Sequence, residues 1–87
     1  MHESISTATA HLFRQESGKM VAVLTRLLGI QQLDTAQDLV QDTLLQAMAV
    51  WSIKGLPDNP AAWLHSVARN KAIDFIRREK RFRSLTH

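Results

Sequence analysis

Apolar side chains recur every three or four positions along most of the chain, the spacing that gathers them on one face of an α-helix. No segment shows the sustained alternation of apolar and polar residues that a half-buried strand requires. Breaks in the pattern are few, because the chain has three glycines and two prolines. Most of these glycines and prolines lie at Gly29 and within residues 55–60. The pattern therefore predicts an all-α domain, a compact bundle of three helices.

The first helical segment covers about Ser4 to Leu28. Gly29 is suited to be its C-cap, since glycine readily adopts the left-handed conformation found there. Gly18 weakens the middle of this helix by up to about 1 kcal/mol relative to alanine, so the helix is either continuous or broken nearby. Its apolar stripe carries Phe13, Met20, Val23, Leu24 and Leu27.

The second segment begins at Asp34, a favourable N-cap residue, and Gln37 completes a capping-box pattern three positions later. The segment runs to about Trp51. One face of this helix is apolar and is expected to form part of the core. That face carries Ala36, Leu39, Val40, Thr43, Leu44, Ala47, Val50 and Trp51.

The opposite face of the second helix combines polar and aliphatic side chains. Acidic and amide side chains are expected on a face that is exposed to solvent. Leu45 and Met48 are not expected there, because they would be exposed in an isolated bundle. Acids around exposed aliphatic side chains suit a basic, partly apolar partner. Alternatively, Leu45 and Met48 pack beneath the first helix, and the periodicity leaves both interpretations open. The face comprises Asp38, Gln41, Asp42, Leu45, Met48 and Ala49.

The third segment has the clearest start signal, with Asn59 as N-cap and Pro60 at the first helical position. It continues to about Arg81. Trp63 lies at the border between the core side and the exposed side of this helix. Because the first turn must pack against the rest of the bundle, Trp63 is expected in the core rather than stacked on a base. The core side carries Leu64, Val67, Ala68, Ala72 and Phe75. The other side carries Ser66, Arg69, Asn70, Arg77, Lys80 and Arg81.

The net charge of +3 is unevenly distributed. Residues 69–83 hold seven cations against two carboxylates, whereas residues 30–60 hold four carboxylates against one lysine. A cationic helix face that includes an amide can neutralise phosphates and hydrogen-bond a base edge. A merely solvated basic face is the alternative. Because Arg69 and Asn70 lie well inside the helix rather than in its tail, nucleic acid is the favoured partner.

Composition excludes several other classes of protein. A chain of 87 residues is expected to form a single domain, 1–87, and the absence of cysteine excludes disulfide scaffolds and thiol catalysis. No apolar run approaches the length of a membrane span, and the N-terminus lacks a secretory signal pattern. The four histidines are scattered without metal-ligand spacing, and no phosphate loop or nucleophile motif occurs. We therefore expect neither an enzyme, nor a cofactor or metal, nor a membrane partner.

Two strings of sequence resemble one known family. The first is DLVQDTL at residues 38–44, followed by residues 47–51. The second is NPAAWL at residues 59–64, followed by VARNKAIDFIRR at residues 67–78. Both, in this order and at this separation, resemble region 2 of bacterial RNA polymerase sigma factors, specifically those of the extracytoplasmic-function (ECF) group. The resemblance covers about residues 13–81 and implies a sigma region 2-like helical domain.

The resemblance implies two binding surfaces. In this family the equivalent of the second helix docks on the coiled-coil of the polymerase β′ clamp, and the matching residues are Asp38, Gln41, Asp42, Leu45 and Met48. The following loop, here residues 52–59, and the exposed face of the third helix engage the −10 promoter element and hold its melted non-template strand. The matching DNA-binding residues are Lys54, Asn59, Arg69, Asn70, Lys71, Arg77, Arg78, Lys80 and Arg81. The chain departs from the family pattern at two positions. Asp42 stands where the family usually has a glutamate, and Leu44 stands where it often has a phenylalanine.

The resemblance also implies a wider setting. ECF sigma factors carry a second helical region that reads the −35 element, and this region is absent from the chain, which is therefore expected to be an excised domain or a fragment. A cytoplasmic location is expected, with an anti-sigma factor or a C-terminal regulatory domain as a further partner. Two alternatives stay open: a helical interaction module or sigma-like adaptor that binds a basic partner without promoter recognition, and a generic helical DNA binder. The last leaves the acidic face of the second helix unexplained.

Overall fold

A computed structural model describes residues 5–86, and it confirms the prediction of three helices. The helices are α1 (Ile5–Leu28), α2 (Leu33–Lys54) and α3 (Pro60–Thr86), with a short 3-10 turn at Ile30–Gln32. No strand is present within the described residues. The predicted start of the first helix at Ser4 lies outside them. None of the described helices is both long and apolar enough to span a bilayer.

The core lies between all three helices and is rich in small side chains. Its buried apolar residues are Met20, Leu24, Ala36, Val40, Ala47, Trp51, Leu64, Ala68 and Ala72. Alanines on α2 and α3 allow close approach of the helices, because the distance between packed helices depends on the side chains at their contact. The predicted core faces of α2 and α3 are confirmed, with some members half-buried at the edge: Leu39, Leu44 and Val50 on α2, and Val67 and Phe75 on α3.

Helix α1 agrees with its prediction except for two side chains of its apolar stripe, which are more exposed than expected. It continues through Gly18 without a break and ends at Leu28, where Gly29 adopts a φ of 101° and donates its N–H to the Thr25 carbonyl at 2.8 Å. Val23 and Leu27, predicted for the apolar stripe, are 38% and 40% exposed. These two side chains lie at the edge of an arc whose buried members are Met20 and Leu24.

The predicted N-cap of the second helix at Asp34 is wrong. Helix α2 begins at Leu33, with Gln32 in the N-cap position and no capping bond from its side chain to the backbone. The 3-10 turn leads directly into the helix, and the Gln32 side-chain oxygen accepts a hydrogen bond from the Thr35 hydroxyl at 2.9 Å. Asp34 therefore lies in the first turn, where its negative charge interacts favourably with the helix dipole.

Helix α2 also ends later than the sequence predicted, at Lys54 rather than near Trp51. Gly55 ends it, with a φ of 83° and an N–H that donates to the Trp51 carbonyl at 2.8 Å. Such a positive φ favours glycine, which has no Cβ to clash with the backbone. The loop predicted for residues 52–59 is therefore reduced to residues 55–59.

The start of α3 agrees with its prediction. The Asn59 side-chain oxygen accepts a hydrogen bond from the Ala62 N–H at 3.1 Å, and Pro60 is the first helical residue. The helix continues past the predicted end at Arg81 to Thr86. No glycine or proline interrupts these last turns, and the helix extends to the last described residue.

Replacing Asn59 with alanine should lower the free energy of unfolding by about 1 kcal/mol, the usual cost of losing an N-cap side chain. The control is Asp58→Ala, which changes the neighbouring exposed side chain and should change stability by less than about 0.5 kcal/mol. Urea unfolding followed by circular dichroism measures both. Equal losses in the two variants would contradict a capping role for Asn59.

Two side-chain contacts join α3 to its neighbours. The rings of Trp51 and Trp63 meet edge to face, with centroids 5.0 Å apart and planes inclined at 63°. Trp63 packs against the core, as the sequence favoured. On the other side of α3, His65 Nε2 lies 2.9 Å from Glu16 Oε1 on α1. These contacts set the rotation of α3 about its own axis and hence which residues it exposes.

Candidate functional site

The polar face of α2 is exposed to solvent. Asp38, Gln41 and Asp42 are exposed, and Met48 is half-buried. Leu45 is 58% exposed, so it does not pack beneath α1. We call the five residues Asp38, Gln41, Asp42, Leu45 and Met48 the docking face. The structure therefore excludes packing beneath α1 for Leu45, whereas Met48 is partly covered.

The predicted DNA-binding residues lie at the end of α2, in the loop that follows it and along one side of α3. Most of them are exposed: Lys54, Asn59, Arg69, Asn70, Arg77, Arg78, Lys80 and Arg81. Lys71 is half-buried. The stretch from Arg69 to Arg81 covers about 18 Å of helix at 1.5 Å per residue. Asn59 has a structural role, because its side-chain oxygen caps α3.

The two predicted surfaces meet in one groove between α2 and α3. Its volume is about 350 Å³, and it is lined by Leu39, Asp42, Lys71, Asp74, Arg77, Arg78 and Arg81. We call it the mixed-charge groove. It contains Asp42 of the docking face together with four of the cations predicted to bind DNA. Sequence periodicity assigned these residues to separate helices and did not bring them together.

A second, shallow and wide-open groove continues the first along the surface of α3, and it is lined by Arg77, Lys80, Arg81 and Ser84 of that helix alone. Because Arg77 and Arg81 line both grooves, the cations form a continuous basic track on this side of the helix. Such a track suits an extended polyanion better than a single small anion.

Two residues of the grooves were missed by the sequence analysis. Asp74 lies among the cations of the mixed-charge groove, and Ser84 lies at the far end of the basic track. The spacing of Asp74 from Lys71 and Arg78, three and four positions away, could have placed it on their face. Ser84 could not have been found, because the predicted helix stopped at Arg81. In the described part of the chain, no cluster of three or more His, Cys, Asp or Glu could hold a metal ion.

Comparison with known proteins identifies the family. Residues 12–82 match the model of Sigma-70 region 2, so the chain belongs to the sigma-70 region 2 family. The match confirms the resemblance drawn from the two sequence strings. Members of this family are parts of sigma factors, the transcription initiation proteins that act with RNA polymerase on promoter DNA, and are not enzymes. Assignment to the ECF group stays a prediction.

A second comparison gives a partial relative. An uncharacterized protein of Rhizobium meliloti (strain 1021) is 41% identical to the chain over 51 residues. These residues make up 59% of the chain but 12% of that protein, so the chain corresponds to a small part of its length. No solved structure gives a significant match.

Proposed function

We propose that this domain docks on the coiled-coil of the polymerase β′ clamp through the docking face of α2. The observation that carries the proposal is the exposure of Leu45, 58%, between exposed acidic and amide side chains. An aliphatic side chain that is more than half exposed adds less to the stability of the bundle than a buried one, and a partner can cover the rest of it. The acids around it are complementary to a basic helix and favour its approach in one orientation.

We further propose that the loop at residues 55–59 and the exposed side of α3 bind the −10 promoter element and its melted non-template strand. The basic track supplies cations for the phosphates, and the exposed amide of Asn70 can both donate to and accept from a base edge. Holding a base out of the stack costs a few kcal/mol, a cost that melted DNA largely avoids. The domain alone should therefore bind promoter duplex weakly and depend on polymerase.

This function assigns the domain two partners, core RNA polymerase and promoter DNA, and a cytoplasmic place of action. An anti-sigma factor or a C-terminal regulatory domain stays a prediction. A sigma-like adaptor would share the docking face but would show no preference among promoters. Base preference at the −10 element therefore separates the two functions.

The amide of Asn70 and the guanidinium of Arg77 should contribute differently to DNA binding. Asn70→Ala should relax base preference at one −10 position by about 1–3 kcal/mol and leave the salt dependence nearly unchanged. Arg77→Ala should weaken binding to all sequences. It should also reduce the number of ions released on binding, given by the slope of affinity against salt concentration, by about one. The measurement is binding of the chain with core polymerase to melted templates that carry single-base changes in the −10 element.

A uniform loss for Asn70→Ala, combined with altered base preference for Arg77→Ala, would reverse these roles. Polymerase binding by the wild-type chain without any preference among the −10 templates would instead favour the adaptor function. Ser66→Ala is a suitable control, because Ser66 is exposed on α3 but lines none of the grooves described above.

A further inference from the structure

Large apolar side chains are concentrated on the surface at one end of the bundle. Of the nine that are clearly exposed within the described residues, five lie where α1 turns into α2 and where α3 ends. Exposed apolar clusters on a soluble domain mark surfaces that contact another molecule. We call this cluster the apolar end, and its members are Leu27, Ile30, Leu33, Phe82 and Leu85.

A groove connects the two parts of the apolar end. It lies between the end of α1, the 3-10 turn and α3, and its volume is about 150 Å³. Helical spacing places it on the opposite side of α3 from the mixed-charge groove. Its lining combines apolar side chains of α1 and α3 with charged side chains of α3. The lining residues are Leu28, Gln32, Phe75, Ile76, Glu79, Lys80 and Arg83.

Helix α3 carries its core-facing side past the end of the other two helices. Ala68 and Ala72 are buried on this side, and Phe75 is half-buried. Phe82 lies seven positions after Phe75 and therefore on the same face, but it is 65% exposed. Leu85, three positions further, is 83% exposed. The apolar side of α3 is thus left uncovered by α1 and α2 in these last turns.

The charges beside Phe82 are self-complementary. Glu79 and Arg83 lie four positions apart on the same side of α3, and both line the groove of the apolar end. In an antiparallel pair of α3 helices with its two-fold axis near position 81, Glu79 of each copy comes opposite Arg83 of the other, and the two Phe82 rings come side by side. Arg77 and Arg81 point away from such a contact, because helical spacing puts them on the other side of the helix.

We propose that two copies of this chain associate through the apolar end, with the last turns of their α3 helices packed antiparallel about a two-fold axis. The charges favour a second copy as the occupant, because the same surface supplies both members of each ion pair, as an isologous contact requires. The overlap covers few turns and buries less than the roughly 800 Å² per partner of a standard interface, so the dimer is weak. The proposal goes beyond the proposed function and does not depend on it.

The test is sedimentation equilibrium of the 87-residue chain at physiological salt, from about 10 μM to about 1 mM, the range in which weak complexes dissociate. The mean mass should rise with concentration from 9.9 kDa toward twice that value. Phe82→Asp should raise the dissociation constant at least about tenfold, because it removes an apolar contact and sets two carboxylates against each other across the axis.

Ile53→Asp is the matched control. It also replaces an exposed apolar side chain near the end of a helix with aspartate. Ile53, 84% exposed, lies at the other end of the bundle, in the last turn of α2. This variant should associate like wild type. Circular dichroism verifies that both variants keep the helicity of the wild type.

Charge reversals test the arrangement within the pair. Glu79→Arg and Arg83→Glu should each raise the dissociation constant about fivefold, because each sets like charges opposite one another at two symmetric places. The two variants change the net charge in opposite directions, so a general effect of charge would strengthen association in one of them. The double variant exchanges the members of each pair and should associate like wild type.

Three results would overturn the proposal. A mean mass of 9.9 kDa at every concentration would leave the apolar end to a different partner. A mass that continues to rise beyond the dimer would contradict a two-fold contact, because such a contact closes with two copies. Equal weakening by Phe82→Asp and Ile53→Asp would place the contact elsewhere. A double charge reversal that fails to restore association would contradict the antiparallel arrangement.

Discussion

Replacing Asp42 with arginine is expected to weaken binding of core RNA polymerase on the order of 100-fold. The substitution places a cation against a basic clamp helix, and such a contact between like charges costs several kcal/mol, at about 1.4 kcal/mol for each factor of ten. Asp42 is exposed on α2, so the fold should be retained. Pull-down of core polymerase over a range of concentrations, with helicity checked by circular dichroism, measures the effect.

Asp34→Arg provides the control for this substitution. It changes the charge by the same amount on the same helix but lies outside the docking face, in the first turn of α2. Its effect on polymerase binding should be small. If Asp42→Arg binds polymerase at wild-type strength while remaining helical, the proposed docking face is wrong.

Truncating Trp51 to alanine should have the largest effect on stability, about 3–5 kcal/mol. Its side chain is 1% exposed and packs edge to face against Trp63. Domains of this size are stable by only about 0.05–0.15 kcal/mol per residue, so the variant should be largely unfolded near physiological temperature. Thermal unfolding followed by circular dichroism is the measurement.

Trp51→Phe is the matched variant. It keeps an aromatic ring against Trp63 and removes an indole N–H that is buried and has no hydrogen-bond partner among the described residues. Because no hydrogen bond is lost, this variant should be destabilised much less than Trp51→Ala. Similar losses for the two variants would contradict the packing role assigned to this side chain.

Elements governed by local rules could be predicted from the sequence. Asn59 and Pro60 define the start of α3 because capping depends on neighbouring residues alone. The core face of α2 follows from helical periodicity, and Gly29 ends α1 because only glycine readily adopts its positive φ. Asp34 shows the limit of such rules, since the 3-10 turn before it moved the cap to Gln32.

The arrangement of the candidate site depends on how the helices pack against each other. Periodicity places Asp42 on one helix and Arg78 on another, but it does not determine how far each helix is rotated toward its neighbour. The pair formed by Glu16 and His65, which helps to set that rotation, joins residues 49 positions apart. The shared groove was therefore visible only in the three-dimensional structure.

Photocrosslinking from position 45 tests the central claim, that the exposed face of α2 binds polymerase. A photoreactive amino acid in place of Leu45, 58% exposed, is compared with one in place of Leu27, which is 40% exposed on α1. Crosslinking to the coiled-coil of the β′ clamp from position 45, and not from position 27, is the predicted result. Crosslinks from position 45 that map elsewhere on the polymerase, or that are no more frequent than those from position 27, would contradict docking through this face.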